Sequence, residues 1–306
     1  MRKQKFRVLL VMLASFALIA AACSSNDEPS ESATPSGGGD MAATVCADSS
    51  TSGDLLAQIC ENGTIRVSTD PAYPPQSSLN ETTGEYEGFD IDVATAIAEK
   101  LGVDIEWQEP SWDVLIAGNW NDRWDMSVGS MTPTTERAQV LDFSPAYYFT
   151  PASVAVSATS DITEPSELSG KTIGVCSGCT YDQYLQGSLE IPDYTFDYGV
   201  ITDPVIKGYD TDSTAIQDVV SGRNDGVMSA TPTLQSAIDK GKPIKIVGEP
   251  LFYEPLSVAF DKSSELDDAT LVDAVSNIIE EMHADGSLSD LSMKWYNEDL
   301  TVSMNR

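Results

Sequence analysis

From residue 60 onward the chain alternates short apolar runs with longer stretches whose apolar residues recur at helical spacing. Residues 65–69 predict a strand, which runs into Asp70-Pro71-Ala72-Tyr73-Pro74-Pro75, a loop stiffened by its prolines. Gly88-Phe89-Asp90 leads a helix with Val93, Ala94, Ile97, Ala98 and Leu101 on one face, and Gly102 stops it. Residues 103–107 predict a second strand, Val114, Leu115 and Ile116 a further helix, and residues 124–128 another strand, followed by a turn and a helix at Glu136. The pattern then restarts. Residues 171–175 and 225–228 predict strands, and residues 180–185 and 212–221 predict helices, the latter with Ile216, Val219 and Val220 together. A strand over 256–260 follows Pro255, and residues 271–283 carry an apolar stripe that Asp285-Gly286 ends. Strands alternating with helices predict parallel-sheet α/β lobes, and the restart predicts two of them, the C-terminal segment returning to the first.

The first residues follow a different pattern. Arg2, Lys3, Lys5 and Arg7 precede an apolar run over residues 8–22, broken only by Ser15. That is the layout of a secretory signal, and the run is short for a spanning helix. It ends in Ile19-Ala20-Ala21-Ala22-Cys23, which resembles a lipobox, with Ala20 where Leu is commoner. The resemblance implies a signal peptide over 1–22 and lipidation of Cys23; plain cleavage with an unmodified Cys23 is the alternative. Residues 23–45 hold Ser, Pro, Gly and acids with almost nothing to bury, as in a disordered tether behind the anchor. No later segment is long and apolar enough to span a bilayer, so the chain does not itself form a pore.

Composition sharpens this picture. Asp and Glu number 48 against 17 Lys and Arg, a formal charge of −31. Such a surface repels nucleic acid, which excludes nucleic-acid partners. In an oxidising compartment Cys46 and Cys60 can pair, as can Cys176 and Cys179. A Cys46–Cys60 bridge closes a loop of about 15 residues, worth roughly 3 kcal/mol on the chain-entropy account. The Cys-x-x-Cys also admits a redox role, but with no nearby His it falls short of a metal ligand set. His283 is the one histidine, placed in the C-terminal helix, and no Ser–His–Asp set is visible.

An ordered set of segments carries a further likeness: residues 69–75, Gly88-Phe89-Asp90-Ile91-Asp92, residues 129–137, residues 142–148, Lys171-Thr172-Ile173-Gly174-Val175, Ser221-Gly222-Arg223-Asn224-Asp225 and residues 282–287. In this order they resemble the family 3 extracellular solute-binding proteins, the polar amino-acid-binding proteins of ABC importers, over residues 61–297. The resemblance implies a two-lobed, type II periplasmic-binding-protein-like α/β fold with a ligand cleft between lobes joined by two crossing strands. Lobe 1 is expected over 46–151, lobe 2 over 152–255 and the return to lobe 1 over 256–306. It implies a monomer without a cofactor, a small amino-acid-like ligand and an ABC permease as partner. A cyclohexadienyl-dehydratase-like enzyme on the same fold, or a receptor feeding a separate sensor, are the rivals.

The site residues are those that match the family's motifs. Thr132-Pro133 suits a helix N-cap followed by proline, whose free amides favour an anion, with Arg137 one turn on for a two-pronged carboxylate contact. The resemblance gives Arg137 the ligand's α-carboxylate, Thr132 a hydroxyl and an amide, and Ser130 a backbone carbonyl toward the α-amine. Outside the family, Arg137 reads as a surface residue in a salt bridge. Tyr73 and Trp112 match the walls that sandwich the ligand, or else pack in the core. Trp107, Trp120 and Trp124 are expected to be structural or rim residues. Asp70 matches a position that meets basic ligand side chains, and Asp before Pro is also a common turn residue. Thr180, after Cys176-Ser177-Gly178-Cys179, matches a Thr whose amide meets the carboxylate. One position departs from the family: the acid expected for the α-amine is Ala230 here. Either another acid such as Asp210 or Asp212 replaces it, or the ligand lacks a standard α-ammonium.

Overall fold

The computed structural model describes residues 44–48 and 52–303; the expected signal segment, Cys23 and tether residues 24–43 lie outside the described residues. Helices α1 (Val45–Asp48) and α2 (Leu55–Asn62) are joined by the Cys46–Cys60 disulfide, with Cα atoms 5.2 Å apart. The Asp54 carboxylate accepts the Ala57 amide at 2.8 Å to cap α2, and Gly63, at φ 66°, ends it in the left-handed conformation.

Strand β1 (Thr64–Ser68) leads to a small antiparallel sheet of β2 (Ala72–Tyr73), β3 (Ser77–Leu79) and β4 (Tyr86–Glu87). Then come α3 (Phe89–Leu101), β5 (Asp104–Gln108), α4 (Trp112–Ile116) and β6 (Met126–Met131). The long β7 (Leu141–Ser157) precedes β8 (Thr172–Cys176), α5 (Thr180–Leu185), β9 (Val205–Tyr209), α6 (Asp212–Val220), β10 (Gly226–Ala230) and α7 (Thr231–Asp239). A second long strand, β11 (Ile244–Asp261), is followed by α8 (Ala269–Ala284) and α9 (Ser287–Tyr296). Among the described residues no helix is long and apolar enough to cross a membrane.

The main sheet runs β5-β1-β6-β11-β7-β10-β8-β9. β1 lies parallel to β5 and β6, and β8 parallel to β9 and β10. Between these parallel halves, β7 and β11 pair antiparallel along nearly their whole length. They are the two strands that cross between lobes. Tyr147, Tyr148, Leu256, Val258 and Phe260 belong to one core with α3 and α8, whereas Ala152, Val154, Val156, Val247 and Phe252 belong to another with β8 and α5. The pairing register breaks between Val247 and Phe252 and again between Leu256 and Ser257, on either side of an unbroken stretch in which Phe252–Leu256 pair with Ala152–Tyr148 and the strands change cores.

The helices bury the faces their spacing predicts. In α3, Val93, Ala94, Ile97 and Leu101 are fully buried; in α8, Leu271, Val275, Ile279 and Met282 are. Each such large side chain contributes about 1.5–3 kcal/mol of burial. Gly88 precedes α3 at φ 142°, and a Cβ there would sit 2.1 Å from the Gln76 carbonyl oxygen. Only glycine lets those two backbones meet. Trp120 and Trp124 pack together in a satellite core under α4, as expected of structural tryptophans.

Candidate functional site

A cavity of about 430 Å³ lies between the two lobes, within the range of small-molecule sites. Asp70, Tyr73, Trp112, Ser130, Thr132, Arg137 and Thr180 all line it. The lobes are closed on each other: the Thr135 amide donates to Glu190 O at 2.9 Å, Gln183 Nε2 to Glu136 Oε2 at 2.9 Å, and Ser213 Oγ to Ala72 O at 3.1 Å. Among the described residues no group of His, Cys, Asp and Glu is arranged to hold a metal ion.

The expected helix at Thr132–Pro133 does not form. Residues 132–136 are irregular, and Arg137 sits in a single 3-10 turn, Arg137–Gln139. The chain must enter β7 at Leu141, which leaves space for one turn only. Thr134 caps it instead, its Oγ1 accepting the Arg137 amide at 3.2 Å. The segment therefore presents a guanidinium, not a helix N-terminus, to the cavity. Arg137 is buried. Its Nη1 donates to Thr132 O at 3.0 Å, its Nη2 reaches across the cleft to Gly178 O at 3.2 Å, and its Nε has no hydrogen-bond partner. The guanidinium stacks over Trp112, 5.0 Å from the ring centroid. Burial lowers its pKa to about 10, although nearby Glu254 and Glu136 favour the charge.

Ser130 adopts φ 54°, a strained conformation for a non-glycine residue. Three partners hold it there. Its amide donates to Tyr147 Oη at 3.0 Å, and its hydroxyl donates to Asp90 Oδ2 at 2.6 Å and lies against Tyr148 Oη. Asp90 is fully buried and also accepts the Tyr147 hydroxyl at 2.8 Å; desolvation raises its pKa to about 7 despite these bonds. Sequence reading placed Asp90 only at a helix start. Its signal was an acid directly before the apolar face of α3.

Asp70 serves its turn, accepting the Ala72 amide at 2.7 Å, and also lines the cavity, where burial pushes its carboxyl up. Tyr73 and Trp112, although on first-lobe elements, pack against the second lobe's core. Thr180 opens α5, directly after the loop closed by the Cys176–Cys179 disulfide, whose Cα atoms are 5.6 Å apart. The same loop supplies the Gly178 carbonyl to Arg137.

Further acids line the cavity. Glu254, in β11 next to Pro255, is buried and accepts the Thr132 hydroxyl at 2.7 Å. Nothing in the local sequence marks it, since its place depends on the strand crossing. The structure also separates the two acids that the sequence left level: Asp210 is exposed, and Asp212, at the start of α6, is buried. Ala230 closes β10, buried, and does not line the cavity.

Two lobes, two crossing strands and an enclosed cleft with a buried arginine define a solute-binding protein of the type II fold. The chain belongs to the bacterial extracellular solute-binding proteins, family 3, whose model matches residues 65–298. It is similar to the L-cystine-binding protein TcyJ of Escherichia coli K12, 29% identical over 81% of this chain and 88% of the relative. An L-arginine-binding protein of Pseudomonas aeruginosa is 30% identical over 77% of this chain and 89% of the relative. Among solved structures, the substrate binding protein of an amino acid ABC transporter superposes with a TM-score of 0.66 at 30% identity, covering 77% of this chain and 100% of the other.

Proposed function

We propose that this chain is the extracytoplasmic receptor of an ABC importer, a lipoprotein anchored through Cys23 that binds a small amino-acid-like ligand as its lobes close and delivers it to the permease. The observation that carries this reading is Arg137. It is 3% exposed, keeps an unpaired Nε, and forms no ion pair among the described residues. A buried cation without an anion is costly, and a ligand carboxylate supplies the missing charge and acceptor. Arg137, Thr132 and the amide of Thr180 hold that carboxylate in this reading, with Tyr73 and Trp112 flanking the ligand, Ser130 offering its carbonyl to the amine and Asp70 facing a basic side chain. The lobes divide at 151/152 and 255/256, where the strands pass from one core to the other. The arginine, cystine and amino-acid binding named for the relatives supports the ligand class.

The test is a thermal-shift screen of the purified protein against amino acids, with Arg137→Ala alongside, since a ligand that binds the native state raises its melting temperature. Truncating a buried charge partner costs about 2–5 kcal/mol, so Arg137→Ala should weaken binding by roughly 30-fold or more. An Arg137→Ala protein that still shifts fully with the same amino acid would remove the carboxylate clamp from the mechanism.

A further inference from the structure

An ammonium in this cleft needs an acceptor, and Ala230 cannot be one. Six acids line the cavity: Asp70, Glu109, Asp113, Asp210, Asp212 and Glu254. Glu109, Asp113 and Asp210 are exposed, where water screens them. Asp70 already accepts the Ala72 amide, and Glu254 accepts the Thr132 hydroxyl on the Arg137 side. Asp212 differs. It is 6% exposed, and its Oδ1 is buried without a hydrogen-bond partner. The nearby Ser229 hydroxyl favours the ionised form of Asp212 but makes no well-formed hydrogen bond to it. A capping duty does not explain the residue either, because Thr211 caps α6, its hydroxyl accepting the Thr214 amide at 3.2 Å. A buried carboxylate oxygen without a well-formed hydrogen bond is costly unless it is protonated or a stronger donor is brought to it. Its neighbour Ser213 docks on Ala72 of the first lobe, so closure itself carries Asp212 to the ligand.

We propose that Asp212 is the acceptor for the ligand's ammonium group, clasping it from the second lobe while Arg137 holds the carboxylate. The proposal rests on the amino-acid reading above and adds the residue that gives it selectivity for an amine. The groups facing Asp212 are Asp70 from the loop after β1, Glu254 from β11, Tyr73 from β2, Tyr181 from α5 and Ser229 from β10. Among the described residues no lysine or arginine forms an ion pair with Asp212, and a ligand ammonium would supply that cation. Desolvation and the neighbouring acids push Asp212 up to about 7. An ammonium favours its ionised form, so binding releases a proton and tightens as pH rises from 6 to 8.

The test uses the full chain, purified in detergent, as wild type, Asp212→Asn and Arg137→Ala. Titration calorimetry compares L-arginine with des-amino arginine and L-cystine with dithiodipropionate. Asp212→Asn should weaken the amino acid by roughly 30-fold or more, leave the des-amino analogue within about threefold, and flatten the pH dependence between 6 and 8. Arg137→Ala should weaken both members of a pair. Equal losses for both members in Asp212→Asn, or no loss, overturn the proposal and leave the carboxylate clamp standing. If no amino acid binds the wild type, the amino-acid reading falls and the proposal with it. Should Asp212→Asn fail to fold, Asp212→Ser is read the same way.

Discussion

Asp90 is a buried carboxylate that holds Ser130 at the edge of the cleft, and its replacement by asparagine has a calculable effect. Asparagine keeps the shape, an acceptor for the Tyr147 hydroxyl and a donor for Ser130 Oγ, which also meets Tyr148. What it removes is a charge in a fully buried site. In the folded protein Asp90 titrates near pH 7, against 3.8 for the free group. The folded state therefore keeps its proton while the unfolded state gives it up between pH 4 and 7. The stability that Asp90 contributes is fully present below pH 4 and is lost as pH rises to 7. A rise of about three pH units corresponds to about 4 kcal/mol at most. Relative to wild type, Asp90→Asn should thus gain about 1.4 kcal/mol per pH unit between pH 4 and 7, and then level off. Urea unfolding of both proteins at pH 4.5, 6 and 8 measures this difference, and the similar titration of Asp212 cancels because both proteins contain it. A difference that stays constant from pH 4.5 to 8 would refute the reasoning, because it would mean that Asp90 is not a desolvated acid.

Two further outcomes follow from local geometry. Replacing Cys46 and Cys60 by serine should cost about 3 kcal/mol, seen as a lower melting temperature that added reductant no longer changes at this bridge. Gly88→Ala should destabilise the fold by about 2–4 kcal/mol in urea unfolding, because its Cβ meets the Gln76 carbonyl at a φ that alanine disfavours.

Three helices were legible from one apolar face, whereas α2, α7 and α9, which also bury one face, were not expected. α3, α6 and α8 fall within two residues of the bounds that their stripes predict. The crossing strands were not. β7 contains Pro145 and Pro151 and β11 contains Pro255, which read as breaks, so a strand of 18 residues was expected only over 256–260. Pro145 sits beside a register shift, and Pro151 and Pro255 lie in the paired stretch where the strands change cores, next to the shifts that bound it. The site shows the same division. Arg137 and its companions line the cleft in the order the sequence lays them out, but the turn beneath Arg137 differs from the expected helix, since Thr132-Pro133 has the chemistry of a helix start and the distance to β7 allows only one turn. Asp212 and Asp210 are two residues apart in similar company, and burial, which only the packed second lobe decides, separates them. Glu254 became visible only once β11 was seen to run through Pro255.

The interrupted ladder of β7 and β11 has a mechanical consequence. Each lobe keeps its own core, and the short paired stretch that joins them, Phe252–Leu256 against Tyr148–Ala152, is bounded at both ends by register breaks. Bending concentrated in that short stretch leaves both cores intact, so each lobe can swing as a rigid panel on a two-ribbon hinge. A distance probe with both labels in one lobe should then stay still while a pair spanning the cleft moves.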